Sequence, residues 1–165
     1  IENKSHTLES HGSWMKLYQY LDYQKNYSFI WFLDADAWTL KSNVSIAKVS
    51  EIYQNTCIIS TWLPIQRQLS AGSFIVKQGC ENIIEDTLKY RNSTVSPRLY
   101  EQFALNQVFK NRGGLGFQAI QHGLIESFYF TVVKGDLVLH VPAFATERKK
   151  QVLRNTVDFL GLVIL

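Results

Sequence analysis

One stretch decides the fold of this chain: Tyr27–Ala37, which reads YSFIWFLDADA. Its first seven residues, mostly apolar, predict one buried strand, because strands covered on both faces show continuous apolar runs. Asp34 and Asp36 follow at once. Ionised carboxylates are almost never fully buried without a partner, so the chain has to leave the core where these acids begin. We therefore predict that both acids face a crevice beyond the carboxyl end of the strand, where open α/β sheets bind ligands.

The spacing of the two acids is typical of ligands for a divalent cation. Carboxylate oxygens suit Mg²⁺ or Mn²⁺, and a metal of this kind usually carries phosphate groups. The simpler alternative is a solvated turn that happens to contain two acids. The stretch alone leaves both interpretations open.

Length and composition indicate one domain. The chain has 165 residues and 46% of them are hydrophobic, which is enough for a core. The net charge of +3 is mild, and no block of like charges marks a nucleic-acid partner. No repeat and no linker rich in proline or glycine divides the chain, so we treat residues 1–165 as a single unit.

The apolar pattern alternates between strands and helices, which favours an α/β fold. Strands are predicted at residues 28–33, 56–61, 71–76, 117–121 and 137–140. Helices are predicted at residues 14–21, 45–53, 80–89, 100–110 and 146–156. Ser13 and Ser45 are the expected N-caps of the first two helices, because a serine hydroxyl accepts a hydrogen bond from the first turn.

Three other segments bring polar groups to the ends of predicted elements. Gly72, within Ala71–Ser73, opens a strand and allows close backbone approach of a ligand. Glu101 and Gln102 open a helix on its polar side. His140 ends the last strand; alone it would more often be structural, but with the two acids it completes a normal Mn²⁺ shell together with diphosphate oxygens.

These segments together resemble the glycosyltransferases of the GT-A fold. The resemblance is strongest to the galactosyl/mannosyl/xylosyltransferase family, glycosyltransferase family 34. Five family motifs match in order: a Trp-x-Lys helix at 13–17, the Asp-x-Asp strand at 30–37, a Gly-Ser-Phe strand at 69–77, an acid-Gln helix at 101–105 and a Gly-Asp…His strand at 134–140. The residues after His140 depart from the family pattern, and the nearest cation there is Arg148.

The resemblance implies a GT-A-like (Rossmann-like) mixed sheet flanked by helices. Family members begin with a strand–helix unit that binds the nucleotide base, and nothing before Trp14 matches that unit. The expectation is therefore a partial catalytic domain, truncated at its N-terminus.

The resemblance also implies an activity. The protein would move a hexose or pentose from a UDP- or GDP-sugar to a glycan or polysaccharide acceptor, with retention of configuration and with Mn²⁺ or Mg²⁺ as cofactor. Asp36 would bind the metal directly, Asp34 would hold ribose or a metal-bound water, and His140 would complete the shell. Gln102 would lie under the anomeric carbon, and Glu101 would bind sugar or acceptor hydroxyls. The donor would also contact Asp34, Ala71, Gly72, Ser73 and Arg148, with Lys149 beside Arg148 at its diphosphate.

Two features bear on the cellular compartment. Asn-x-Ser/Thr sequons stand at Asn3, Asn26, Asn43 and Asn92 and favour a secretory lumen. With the resemblance they predict a luminal domain at the Golgi membrane, anchored by a segment outside this chain. Cys57 and Cys80 either pair in such a compartment or are two buried free thiols.

Two other functions compete with the transferase. One is a truncated or degenerate transferase-like domain that binds metal or glycan without turnover. The other is an aspartyl phosphatase, which also begins with a buried strand ending in Asp-x-Asp. Such phosphatases need Thr or Val two residues after the second acid, where this chain has Trp38, so this alternative is disfavoured.

Overall fold

The computed structural model describes residues 12–40, 45–92, 100–121, 123–128, 136, 138–140 and 146–160. The α-helices are α1 (Met15–Tyr23), α2 (Ile46–Ile52), α3 (Glu81–Leu88), α4 (Tyr100–Asn111) and α5 (Thr146–Leu160). The strands are β1 (Phe29–Leu33), β2 (Ala37–Thr39), β3 (Ile58–Leu63), β4 (Gln68–Lys77), β5 (Phe117–Ile120), β6 (Ser127–Phe128) and β7 (Val138–His140). Short 3₁₀ turns occur at Gly12–Trp14, Gln24–Asn26 and Lys89–Asn92.

The strands form two mixed sheets. The larger has the order β1-β4-β3-β5, in which β4 runs antiparallel to both of its neighbours and β3 is parallel to β5. The smaller has the order β2-β7-β6, with β2 antiparallel and β6 parallel to β7. The predicted mixed α/β fold with flanking helices is confirmed.

Alternating side chains of the larger sheet bury two separate cores. On β4, Phe74 and Val76 face a core that contains α1, α3 and α4, whereas Ile75 faces a second core with Val49 of α2. Successive side chains of a strand point to opposite faces, which places Phe74 and Val76 in one core and Ile75 in the other. All of β4 except its two terminal residues is buried.

A third, smaller core joins the second sheet to α5. Leu40 and Leu139 are buried there, and Trp38 packs against them together with apolar side chains of α5. This packing gives Trp38 a structural role and fixes α5 next to the strand that follows the acid pair.

Most predicted elements are found within a few residues of their expected ends. The expected cap of α2 is confirmed, because Ser45 Oγ accepts a hydrogen bond from the Lys48 backbone N–H at 3.2 Å. The expected cap of the first helix is wrong. A 3₁₀ turn precedes α1, the N-cap position falls on the buried Trp14, and the buried Ser13 Oγ has no hydrogen-bond partner within the described ranges.

Two strands were not predicted from the sequence. β2 and β6 are three and two residues long, too short to show the alternation that identifies a strand. In addition, β3 ends at Leu63 and β4 begins at Gln68, so both extend beyond the strands predicted at residues 56–61 and 71–76.

A disulfide joins Cys57 and Cys80, whose Cα atoms lie 5.5 Å apart. It links the start of β3 to the start of α3, and it resolves the choice that the sequence left open. Because a cross-link over this sequence separation of 23 residues restricts the unfolded chain, we expect reduction to lower the free energy of unfolding by about 2–4 kcal/mol. Urea unfolding with and without reductant measures this. The double variant Cys57→Ala/Cys80→Ala is the control, since reductant should not affect it, and equal midpoints for the oxidised and reduced protein would contradict the expectation.

Among the described residues, no helix combines the length and apolar character that crossing a bilayer requires.

Candidate metal and donor site

The chain leaves the core at the acid pair, as the sequence predicts. The Asp34 backbone N–H donates to the Gly72 carbonyl at 2.8 Å, which continues the β1–β4 ladder by one residue. The Ala37 N–H then donates back to the Asp34 carbonyl at 3.0 Å and closes a turn. The side chains of Asp34 and Asp36 remain 35% and 23% exposed, so both acids can reach a ligand.

The second sheet brings His140 to this turn. β2 begins directly after the acids and pairs with β7, and Ala37 lies opposite His140 in that pairing. His140 Nε2 lies 3.1 Å from Asp36 Oδ1 and 3.8 Å from Asp34 Oδ2. One ligand atom from each of the three residues lies within 4.8 Å of the others. The predicted proximity of Asp36 and His140 is confirmed, while metal binding stays a prediction.

The donor set fits a divalent cation of the Mn²⁺ or Mg²⁺ class. Two carboxylates supply hard oxygen ligands and one imidazole supplies nitrogen, a combination that Mn²⁺ accepts readily. The outer shell fits as well, because ligating histidines usually donate their other ring nitrogen to a carboxylate. Here that carboxylate belongs to Glu126, with Oε1 at 2.6 Å from His140 Nδ1.

Charge pairing shifts the titration of two of these groups. Burial alone would raise the pKa of Asp36, but hydrogen bonds from His140 and Lys149 outweigh it and hold that pKa well below its usual range. Burial alone would lower the pKa of His140, but hydrogen bonds to Asp36 and Glu126 raise it to about 9. Without metal, His140 is therefore a cation held between two carboxylates at neutral pH.

The raised pKa of His140 predicts how the stability of the metal-free protein depends on pH. A group whose pKa is higher in the folded state stabilises fully below its unfolded value and loses this effect as pH rises through its folded value. We therefore expect the free energy of unfolding to fall as pH rises from 6.5 to about 9. Urea unfolding in EDTA at a series of pH values measures it, and His140→Gln should remove the dependence over that range. A flat profile for the wild type there would contradict the assignment.

Lys149 provides a further cation at the site. Its Nζ forms an ion pair with Asp36 Oδ2. Arg148, which the sequence favoured for the donor phosphates, is exposed and lines a cleft along α5 with Lys150 and Arg154. Of the two cations expected near the donor diphosphate, Lys149 is the one that contacts the acid pair, and the contact of Arg148 with a donor stays a prediction.

Lys16 connects the acid pair to α4. Its Nζ forms an ion pair with Asp34 Oδ1, donates to the Ala71 carbonyl at 2.8 Å and lies 3.4 Å from Glu101 Oε1. The side chain of Lys16 is only 12% exposed. Glu101 is buried too, which corrects the expectation that it lies on the polar side of its helix. The Trp-x-Lys resemblance was the signal in the sequence for Lys16.

Residues 71–73, in the middle of β4, form hydrogen bonds with neighbouring elements. The Ala71 N–H donates to Gln102 Oε1 at 3.1 Å, so Gln102 lies beside the strand that carries Gly72. Ser73 is fully buried; its hydroxyl accepts from Trp31 Nε1 and donates to the Ile125 carbonyl. Ser73 was expected to contact the donor; its hydroxyl is engaged by these two hydrogen bonds inside the protein, and a contact with the donor stays a prediction.

Gly72 is a site of close approach, as predicted, but to side chains of the chain itself. A Cβ built on Gly72 would lie within 2.6 Å of His140 Nδ1, His140 Cε1 and Glu126 Oε1. The absence of a side chain at this position therefore makes room for the His140–Glu126 pair.

Solved structures similar to this chain in fold include the crystal structure of a glycosyltransferase involved in the glycosylation of the major capsid of PBCV-1, with a TM-score of 0.66 and 16% sequence identity. The likeness covers 93% of this chain and 79% of that chain. No protein-family model and no curated protein matches the sequence. The chain therefore has the fold of a glycosyltransferase, with Asp34, Asp36 and His140 gathered beyond the end of β1.

Proposed function

We propose that this chain is a metal-dependent glycosyltransferase domain that moves a hexose or pentose from a UDP- or GDP-sugar to a glycan or polysaccharide acceptor. The observation that carries the proposal is the meeting of Asp34, Asp36 and His140 within 4.8 Å in a glycosyltransferase fold. The motif order that resembles glycosyltransferase family 34 supports it.

In this proposal Asp36 and His140 hold the metal, and Asp34 holds ribose or a metal-bound water. A bound Mn²⁺ or Mg²⁺ neutralises the negative charge that develops on the leaving nucleoside diphosphate. Glu126 Oε1 lies 2.6 Å from His140 Nδ1, the ring nitrogen that points away from the acid pair.

Among the described residues, Lys149 is well placed to bind the donor diphosphate. Its ammonium group already lies against Asp36, so it needs to move only a short distance to reach a phosphate bound there. Arg148 follows on the same helix as the second candidate. A lysine in this role acts as a mobile point charge.

The sugar is proposed to lie over the start of α4. The ammonium group of Lys16 pairs with Asp34 on one side and lies close to Glu101, at the start of α4, on the other. The polar atoms of these three side chains suit the binding of sugar hydroxyls. Gln102 stands beside Ala71 and would stabilise positive charge at the anomeric carbon with its amide oxygen. Transfer would retain configuration, and the leaving phosphate would take the proton of the acceptor hydroxyl.

The same proposal puts the domain in the secretory pathway, with a membrane anchor supplied from outside this chain. The Cys57–Cys80 disulfide supports an oxidising compartment. Asn26, in the sequon Asn26-Tyr27-Ser28, is exposed, as is Ser28, and this supports passage through the lumen.

Calorimetry with a panel of UDP- and GDP-sugars tests donor binding. We expect one nucleotide series to bind in Mn²⁺, with the affinity lost in EDTA and restored by excess Mn²⁺. Release of nucleoside diphosphate during the titration would distinguish the transferase from a domain that binds without turnover. Failure of every donor to bind the metal-loaded protein would contradict the proposal.

A further inference from the structure

We propose that Glu126 is a positioning residue that fixes the His140 imidazole so that Nε2 faces Asp34 and Asp36. The inference deepens the proposed metal site and rests on it. Glu126 lies in the segment before β6, where the sequence offered neither a motif nor a periodic pattern.

The contacts of the imidazole carry this inference. Glu126 Oε1 lies 2.6 Å from His140 Nδ1, and Asp36 Oδ1 lies 3.1 Å from Nε2 on the other side of the ring. A carboxylate accepts hydrogen bonds, so Nδ1 is the donor in the first contact. Nε2 faces the acid pair and donates to Asp36 in the metal-free protein. With a proton kept on Nδ1 by Glu126, Nε2 is the nitrogen that would give up its proton to bind a metal.

The burial of Glu126 also points to a role in the site. The residue is completely buried, and its second oxygen, Oε2, has no hydrogen-bond partner among the residues that the structure describes. Burying a carboxylate with half of its hydrogen bonds unmade is costly. Within the described part of the chain, His140 is the group that forms an ion pair with it, so pairing with that ring is what keeps Glu126 in place.

Neighbouring groups restrict the position of the His140–Glu126 pair. The ring of Phe128 stacks on the imidazole, with centroids 5.5 Å apart and planes at 27°. Gly72 lies so close to Nδ1 and to Glu126 Oε1 that a methyl group would not fit. The segment that carries Glu126 is tied down as well, because the Ile125 carbonyl accepts from Ser73 and the Gly123 N–H donates to the Glu126 carbonyl.

The test compares Glu126→Leu and Glu126→Gln with the wild type in Mn²⁺ titrations. Leucine fills a similar volume without accepting a hydrogen bond, and we expect it to weaken Mn²⁺ binding by about 10–100-fold. Glutamine still offers an oxygen to Nδ1, and its affinity should lie between those of the wild type and the leucine variant. Glu85→Leu, the same change at an exposed position of α3, should bind like the wild type.

A second readout uses the metal-free protein. The Nδ1 proton of His140 should appear in the NMR spectrum as a slowly exchanging line, downfield of the other imidazole protons, assigned by its loss in His140→Gln. Glu126→Leu should remove the line and Glu126→Gln should shift it upfield. If Glu126→Leu does not fold, Glu126→Gln alone tests the proposal, through the upfield shift of the Nδ1 proton and a Mn²⁺ affinity below that of the wild type.

The outcomes separate the two claims. A wild type that binds no Mn²⁺ but shows the shifted proton would overturn the metal site and leave the positioning contact standing. A wild type that binds Mn²⁺ no more tightly than Glu126→Leu, or a line unchanged in both variants, would overturn the role of Glu126.

Discussion

Asp36→Ala is expected to abolish Mn²⁺ binding and to lower kcat for sugar transfer by about 10²–10³-fold or more. Of the acid pair, Asp36 lies nearer to His140, and its two oxygens contact His140 and Lys149. Removing it takes a carboxylate ligand from the site and leaves the Lys149 ammonium without its ion-pair partner, which also disfavours a metal cation there. Mn²⁺ titration and nucleoside diphosphate release measure the two effects.

Asp22→Ala is the matched control for this variant. Asp22 is exposed near the end of α1, on an element that also carries the site residue Lys16. It should leave both Mn²⁺ affinity and turnover at wild-type values. Wild-type turnover by Asp36→Ala would remove this carboxylate from the mechanism.

Gly72→Ala should damage stability and metal binding together. The added methyl group would lie within 2.6 Å of atoms of His140 and Glu126, closer than real Cβ contacts come. Because β4 is buried along nearly its whole length, the imidazole and the carboxylate have to shift instead of the strand. We expect a loss of about 1–3 kcal/mol in the free energy of unfolding, as for other overpacked interiors. Mn²⁺ affinity should fall by at least tenfold, or about 1.4 kcal/mol.

Gly113→Ala separates backbone strain from damage to the site. Gly113 has φ of +58°, and a Cβ there would meet nothing within 4 Å. The substitution should cost roughly 1–2 kcal/mol through the left-handed backbone alone and leave Mn²⁺ affinity unchanged. Unchanged affinity in Gly72→Ala, measured beside this control, would show that the His140–Glu126 pair tolerates displacement.

The parts of the site that were predictable depend on local signals. The acid pair follows an apolar strand, and the exit of an ionised group from the core can be read directly from that order. His140 was found because it ends a short apolar run. Its distance from Asp36 depends on the pairing of β2 with β7, and β2 is too short to be recognised from sequence.

The features of the site that the sequence did not show depend on contacts between separate parts of the chain: the burial of Glu101, the presence of Glu126 and the contact of Lys149 with Asp36. Glu101 is buried because its cation, Lys16, comes from 85 positions earlier, so its helix alone suggests a polar surface. Glu126 is buried against His140, which lies 14 positions later in the sequence. Lys149 faces the site in place of Arg148 because packing of α5 on Leu139 sets the rotation of that helix.

The release of nucleoside diphosphate from a nucleotide-sugar by the wild-type protein, with Mn²⁺ and then with EDTA, tests the central claim most directly. We predict release with one UDP- or GDP-sugar in Mn²⁺, its loss in EDTA and its return when Mn²⁺ is added in excess. Release that continues undiminished in EDTA would contradict a metal-dependent transferase, and so would the absence of release from every nucleotide-sugar by protein shown to have Mn²⁺ bound.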